Sequence, residues 1–293
     1  MTNKSSGFGS VLKKLEQGSK GGGPNVTKYL DDGESIVVRV LDASNTAFPY
    51  RAHSDHTTKI PPHTCHQEKG EKEDLYDKAA KVLIDEAVSH LDPKIKNFDD
   101  QSEEAKENYK RVRKESNRFE AKNRVKFGFI NLKDGQPVII DLAEKFAKQL
   151  ILGFEKHEDK IDRNAFEITK TGVEANTTYG LERVLLDELS EEQKKHWDAS
   201  EGKTFDKSLI DNTHFYRDEE QQLKDLVTMG FDVSRINLEA PEGVTAAPQE
   251  DVQQEVTQEA ETVSVEESDV AAEEAMRAVE EFQMENDAES EPA

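Results

Sequence analysis

The sequence predicts a mixed β + α fold: a small β-barrel with helical insertions, a flexible N-terminal arm and a disordered acidic C-terminal tail. Three observations predict it. About six short stretches rich in β-branched and aromatic residues are broken by helical segments, which is not the regular alternation of a parallel βαβ array. The run Gly18–Pro24 (GSKGGGP) is a Gly/Ser-type linker with a proline stop. Finally, residues 241–293 hold 17 Asp and Glu against one basic residue, Arg277. Such a block buries too little apolar surface to offset its ordering entropy.

The elements follow in order. After the turn Asp31-Asp32-Gly33, Ser35–Leu41 reads as a strand, and Thr46–His53 as a second, with Pro49 placing it at an edge or bulge. A His-rich loop follows. Residues 70–92 carry Leu75, Ala79, Val82, Leu83, Ala87 and Leu91 near helical spacing, and 101–120 reads as a second, highly polar helix. Residues 124–132 and 137–142 flank Lys133-Asp134-Gly135 as a hairpin, and helix 143–156 buries Phe146, Leu150, Ile151 and Phe154. Residues 165–170 and 177–184 are two further strands. Ser190 opens a helix with a capping box, and a helix over 218–229 is stopped by Gly230. The chain therefore divides into an arm (1–28), a core (29–186) with a helical insertion (70–120), a helical extension (187–240) and the tail (241–293).

Composition excludes several classes. In 293 residues there are 62 acidic and 39 basic side chains, a net charge of −23. No run approaches the roughly 18 apolar residues of a membrane span. The first twenty residues lack the apolar region of a secretory signal, so the expected location is a cytoplasm. The single Cys65 rules out a disulfide framework and fits a reducing compartment. No GxSxG or HExxH pattern is present, so nothing in the sequence argues for an enzyme.

A net charge of −23 argues against a nucleic-acid partner until it is divided. The tail alone accounts for −16, and the arm is +4. Between Lys106 and Lys126 lie nine cations against three glutamates, a net +6. Tyr109 and Phe119 interleave with them. Aromatic and cationic residues are also paired at Tyr50 and Arg51, Phe166 and Lys170, and Tyr179 and Arg183. Single strands are bound by this combination, in which cations track phosphates and rings stack on bases. A bare charge run also reads as a solvated helix face. On the binding reading, the groove is lined by Arg39, Tyr50, Arg51, Arg111, Arg113, Lys114, Arg118, Lys122, Arg124, Lys126, Phe127, Lys170 and Tyr179. The tail segment Glu273–Met284 places Met276, Val279 and Phe282 on one face of a short helix, a partner-docking element. His53, His63, Cys65 and His66 fall within 14 residues and are weak zinc candidates, because their spacing is not a standard ligand set. The alternative is a polar loop with surface histidines and no cofactor.

Asn164–Gly172 followed by Asn176-Thr177-Thr178-Tyr179, the Phe127–Leu142 hairpin and the opening YLDDGESIVVRVL together resemble the single-stranded DNA-binding (helix-destabilising) proteins of T-even and related tailed bacteriophages. The resemblance covers about residues 28–186. It implies an OB-fold-like barrel and non-sequence-specific binding of single-stranded DNA in replication, recombination and repair inside the bacterial host cell. It also implies an arm for cooperative self-association along DNA, and an acidic tail that recruits replication proteins such as a polymerase, helicase loader or recombinase. The family's zinc site uses a His, a Cys and a CxxC. His53 and Cys65 fit the first two, but no CxxC follows. Either His63 and His66 substitute, or the site is lost. The competing reading, from a different class, is an acidic-tailed adaptor or phage assembly protein without DNA affinity.

Overall fold

The computed structural model describes residues 26–246 except 71–72, 158–159, 162, 174–175 and 242. The tail segment expected to form a helix with Met276, Val279 and Phe282, and the arm up to residue 25, lie outside the described residues. Seven strands form an antiparallel sheet that is open. The expected barrel closure is therefore corrected: among the described residues β7 (Thr178–Val184) pairs only with β6 (Ala165–Thr171) and has no fully buried residue, so its outer edge remains an edge. The chain forms two compact units, one from the stretches up to Pro49 and Arg124–Thr213, the other from Tyr50–Asn123 and from His214 onward.

The first unit is built on β1 (Ser35–Arg39), most of β4 (Lys122–Asn131), β5 (Pro137–Ala143), β6 (Ala165–Thr171) and β7. Their order is β5-β4-β1-β6-β7. The β4–β5 hairpin holds an unbroken register from Arg124 opposite Ala143 to Ile130 opposite Pro137. Alternation then sorts the side chains. Val125, Phe127 and Phe129 turn to one face, where Phe127 and Phe129 stack with ring centroids 6.0 Å apart. On that face α3 (Glu144–Glu155) buries Ala147, Leu150 and Phe154, at i, i+3 and i+7. The opposite face is closed around Ile139 by Phe205 and by Ile210 of α5 (Lys207–Asp211). Phe205 lies so close to Gly128 that an added Cβ would meet its ring at 2.5 Å. Helix α4 (Glu191–Ala199) begins with the expected box: Gln193 N–H donates to Ser190 Oγ at 3.2 Å, and Ser190 N–H donates to Gln193 Oε1 at 2.9 Å. Its Trp197 packs with Ile130, Leu132, Ala165 and Leu189.

The second unit joins most of β2 (Ala47–Asp55) and β3 (Ile60–Thr64) to α1 (Leu75–Ser89), α2 (Glu103–Ser116) and α6 (Glu219–Thr228). Strand β3 occupies part of the expected His-rich loop, with His63 opposite His53. Helix α2 starts where Ser102 Oγ accepts from Ala105 N–H at 3.2 Å. Glu103 and Glu104 in its first turn, with Arg113 and Lys114 in its last, match the helix dipole. Tyr109, Val112 and Ser116 point inward, at i, i+3 and i+7. They join a core of Tyr76, Leu83, Phe98, Phe119, Leu226 and Phe231.

Candidate nucleic-acid interface

The inward stripe of α2 dictates what its cations can do. Lys110, Arg111 and Lys114 lie away from it and are exposed. Arg111 and Lys114 form no ion pair or hydrogen bond among the described residues, and the Lys110 ammonium lies 5.6 Å from the Phe98 ring centroid. Other cations of the same run are held internally. Arg113 pairs with Glu120 and donates to Ser116 Oγ and Asn117 Oδ1 at 2.7 and 2.8 Å. Arg118 bonds Asp55 at 2.8 Å and the Met229 carbonyl at 3.2 Å. Burial opposes charge on Asp55, but the bonds from Arg118 and Thr58 outweigh it and hold the carboxyl below its ordinary range. Tyr50 is buried edge-on to His214, with ring centroids 5.2 Å apart. Arg51 is half-buried and donates to Gln67 Oε1 at 3.1 Å, whereas Lys122 is exposed.

The same unit exposes aromatic surface that the sequence reading passed over. The stretch His214-Phe215-Tyr216-Arg217 lies beside β3, with the Thr64 N–H donating to the Phe215 carbonyl at 2.7 Å. The Phe215 ring is 55% exposed, and the Lys69 ammonium lies 3.8 Å from the Tyr216 ring centroid. The signal was an aromatic run next to a cation, the pattern that selected Tyr50 and Tyr179.

In the first unit the sorting is equally sharp. Arg39 is buried, with its guanidinium 4.0 Å from the Trp197 ring centroid and bonded to the Trp197 carbonyl and to Ser200 Oγ at 3.1 Å. Lys170 donates to the Leu30 carbonyl at 3.0 Å. Phe127 is 1% exposed, so its ring is core and not a stacking surface. Arg124 Nε donates to Asp141 Oδ1 at 3.1 Å. Lys126, in register with Asp141, is 3% exposed. Burial outweighs the attraction of Asp141 and brings its pKa down to about 8. Tyr179 is half-buried beside Phe146, with ring centroids 5.6 Å apart, and burial raises its phenol pKa.

Of the four weak zinc candidates, His53 and Cys65 converge, and a residue the sequence reading did not include joins them. A ring nitrogen of His53, Cys65 Sγ and an Asp74 oxygen lie within 4.8 Å of one another, all three residues buried. His53 Nδ1 lies 2.9 Å from the Phe119 carbonyl, which only accepts, so that nitrogen carries the proton. The Nε2 lone pair then faces Asp74 Oδ2 at 3.1 Å, an arrangement that needs a proton or a cation between the two. Asp77 Oδ2 is buried without a hydrogen-bond partner, and Asp77 Oδ1 is 3.9 Å from His53 Nε2. His63 Nε2 is likewise buried without a partner. His66 stands beside the same carboxylate, its Nδ1 3.5 Å from Asp74 Oδ1, while its Nε2 lies 2.7 Å from the Arg217 carbonyl. Burial raises the Cys65 thiol to about 12, with Asp74 and Asp77 adding to the effect. Nitrogen, sulfur and oxygen donors brought together in a buried place, with Asp77 Oδ2 beside them lacking a hydrogen-bond partner, are of the types that hold a zinc ion.

No helix of the described residues is long and apolar enough to cross a membrane. Comparison of the chain with protein-family models, with curated proteins and with solved structures finds no match.

Proposed function

We propose that this chain binds single-stranded DNA without sequence preference and protects it during phage replication, recombination and repair, and that it is not an enzyme. The observation that carries the reading is the solvent face of α2. In a chain of net charge −23, Lys110, Arg111 and Lys114 stand together on one exposed helix surface. Exposed Arg111 and Lys114, without anionic partners among the described residues, suit phosphates, and the exposed Phe215 ring of the same unit suits an unpaired base. The acidic segment beyond the described residues would recruit replication proteins, or compete with DNA for the cations.

A fluorescence titration with poly-dT and with duplex of equal length, at two salt concentrations, tests it. Tight binding to poly-dT that weakens steeply with salt, and little binding to duplex, is expected. Equal affinity for both, or none at low salt, sinks the reading in favour of an adaptor without DNA affinity.

The reading extends to a structural zinc ion held by His53, Cys65 and Asp74, with Asp77 or His63 completing the set. Zinc there would neutralise the buried carboxylates and take Cys65 as thiolate. The chain purified without chelator is expected to carry one equivalent of zinc and the Cys65→Ala variant much less. Metal-free protein that is stable and takes up no added zinc would remove the ion from the reading.

A further inference from the structure

Strand β7 ends the sheet of the first unit, and the register across β6 decides which of its backbone groups stay unbonded. The Lys170 N–H donates to the Glu34 carbonyl at 3.0 Å, and the Lys170 carbonyl accepts from Gly33 N–H at 2.9 Å, so this peptide turns away from β7. Lys170 is opposite Tyr179, Ile168 opposite Leu181 and Phe166 opposite Arg183. Backbone direction repeats at every second residue of an antiparallel ladder, so all three are non-hydrogen-bonded pairs. Tyr179, Leu181 and Arg183 therefore turn their N–H and C=O groups to the outer edge. Gln149 Oε1 of α3 takes the Tyr179 N–H at 3.2 Å. The outward groups of Leu181 and Arg183 have no partner among the described residues.

The charge beside this edge has one sign. Helix α3 reaches β7 through Gln149 and through Gly153, where an added Cβ would meet the Leu181 side chain at 2.9 Å. Lys145, Leu152 and Lys156, at i−4, i+3 and i+7 from Gln149, share that flank and are exposed. Lys145, Lys156 and Arg183 form no ion pair among the described residues; the Lys145 ammonium lies 5.9 Å from the Phe146 ring centroid. Glu144 and Glu155 fall on the other flank of the helix, and alternation turns Glu182 to the other face of the sheet.

We propose that the outer edge of β7 docks an extended acidic peptide of a partner protein, added as a further antiparallel strand. The open peptide groups of Leu181 and Arg183 call for a strand, and the cations call for carboxylates. In an antiparallel pair the edge-bonded residues of the guest share a face with those they oppose, so acidic residues at alternate positions stand beside Lys145, Lys156 and Arg183. The added strand also covers Leu152, which is 58% exposed. A second copy joined edge to edge would set its own row of cations against this one. A nucleic-acid strand would meet the cations and leave the outward N–H and C=O groups unmatched.

The test uses the full chain and a labelled peptide of alternating threonine and glutamate, followed by fluorescence polarisation. Binding is expected for this peptide, and none for its threonine–lysine counterpart or for a copy N-methylated at its glutamates. Changing Lys145 and Arg183 together to glutamate is expected to weaken binding about tenfold with no shift in the unfolding midpoint, since neither holds an ion pair among the described residues. Gln149→Ala releases the Tyr179 N–H for one more backbone bond and should tighten binding about fivefold. The proposal is overturned if the glutamate peptide does not bind, or if the N-methylated copy binds equally well. Parent self-association that Arg183→Glu abolishes, without peptide binding, gives the edge to a second copy. Loss of oligo-dT affinity in the double variant, again without peptide binding, gives its cations to DNA.

Discussion

Changing Arg111 and Lys114 together to glutamine is expected to lower affinity for poly-dT about 25-fold at roughly 0.1 M salt and to flatten the log–log salt slope by about 1.4. On a single strand each neutralised phosphate contributes a slope of about 0.7, so at that salt each contact is worth about 0.7 of a decade. Both side chains are exposed on α2 and form no ion pair among the described residues, so removing them breaks nothing in the fold. Arg113 is the control. It sits in the same helix but is tied to Glu120, Ser116 and Asn117. Arg113→Gln should shift the unfolding midpoint and leave the salt slope alone. If the double variant keeps the parent's slope, α2 is not on the phosphate path.

That contrast also shows what a linear reading of the chain reaches. Strands β1 and β4–β7 were legible because alternation and turn residues are local, and α3 because its apolar residues recur at helical spacing. Strand β3 was not, since Pro61, Pro62 and His63 look like loop. The open edge of β7 was not legible either, because closure depends on pairing between residues far apart in sequence. Nine cations between Lys106 and Lys126 looked like one surface. The helical period instead turns Arg113 toward Glu120, the chain carries Arg118 to Asp55, and the strand buries Lys126. With Tyr109, Val112 and Ser116 recognised as the inward stripe, the exposed trio on α2 could have been read from spacing alone. Asp74 escaped because it lies eight residues beyond the histidine cluster, at the start of α1.

Lys126 gives the other large expected effect, on stability. Its side chain is 3% exposed, and its pKa falls from 10.5 to about 8 because burial disfavours the ammonium. Between those values the unfolded chain holds more protons than the folded one, so this group makes stability rise with pH from about 8 to 10.5. Below about pH 8 the folded chain carries a buried ammonium, at a cost on the order of 3 kcal/mol. Lys126→Met is therefore expected to stabilise the protein at neutral pH by up to about that amount, less what Asp141 loses when the charge opposite it goes. The stability gain between about pH 8 and 10.5 should also disappear from the variant. Urea unfolding across that range reads both, and a variant that is less stable than the parent at neutral pH, with the parent's own stability flat up to 10.5, contradicts the account. The oligo-dT titration supplies the second half. A stabilised variant with unchanged affinity is the expected result, because a side chain 3% exposed does not meet a phosphate. A stabilised variant that binds several-fold more weakly would contradict it and put Lys126 within reach of the strand.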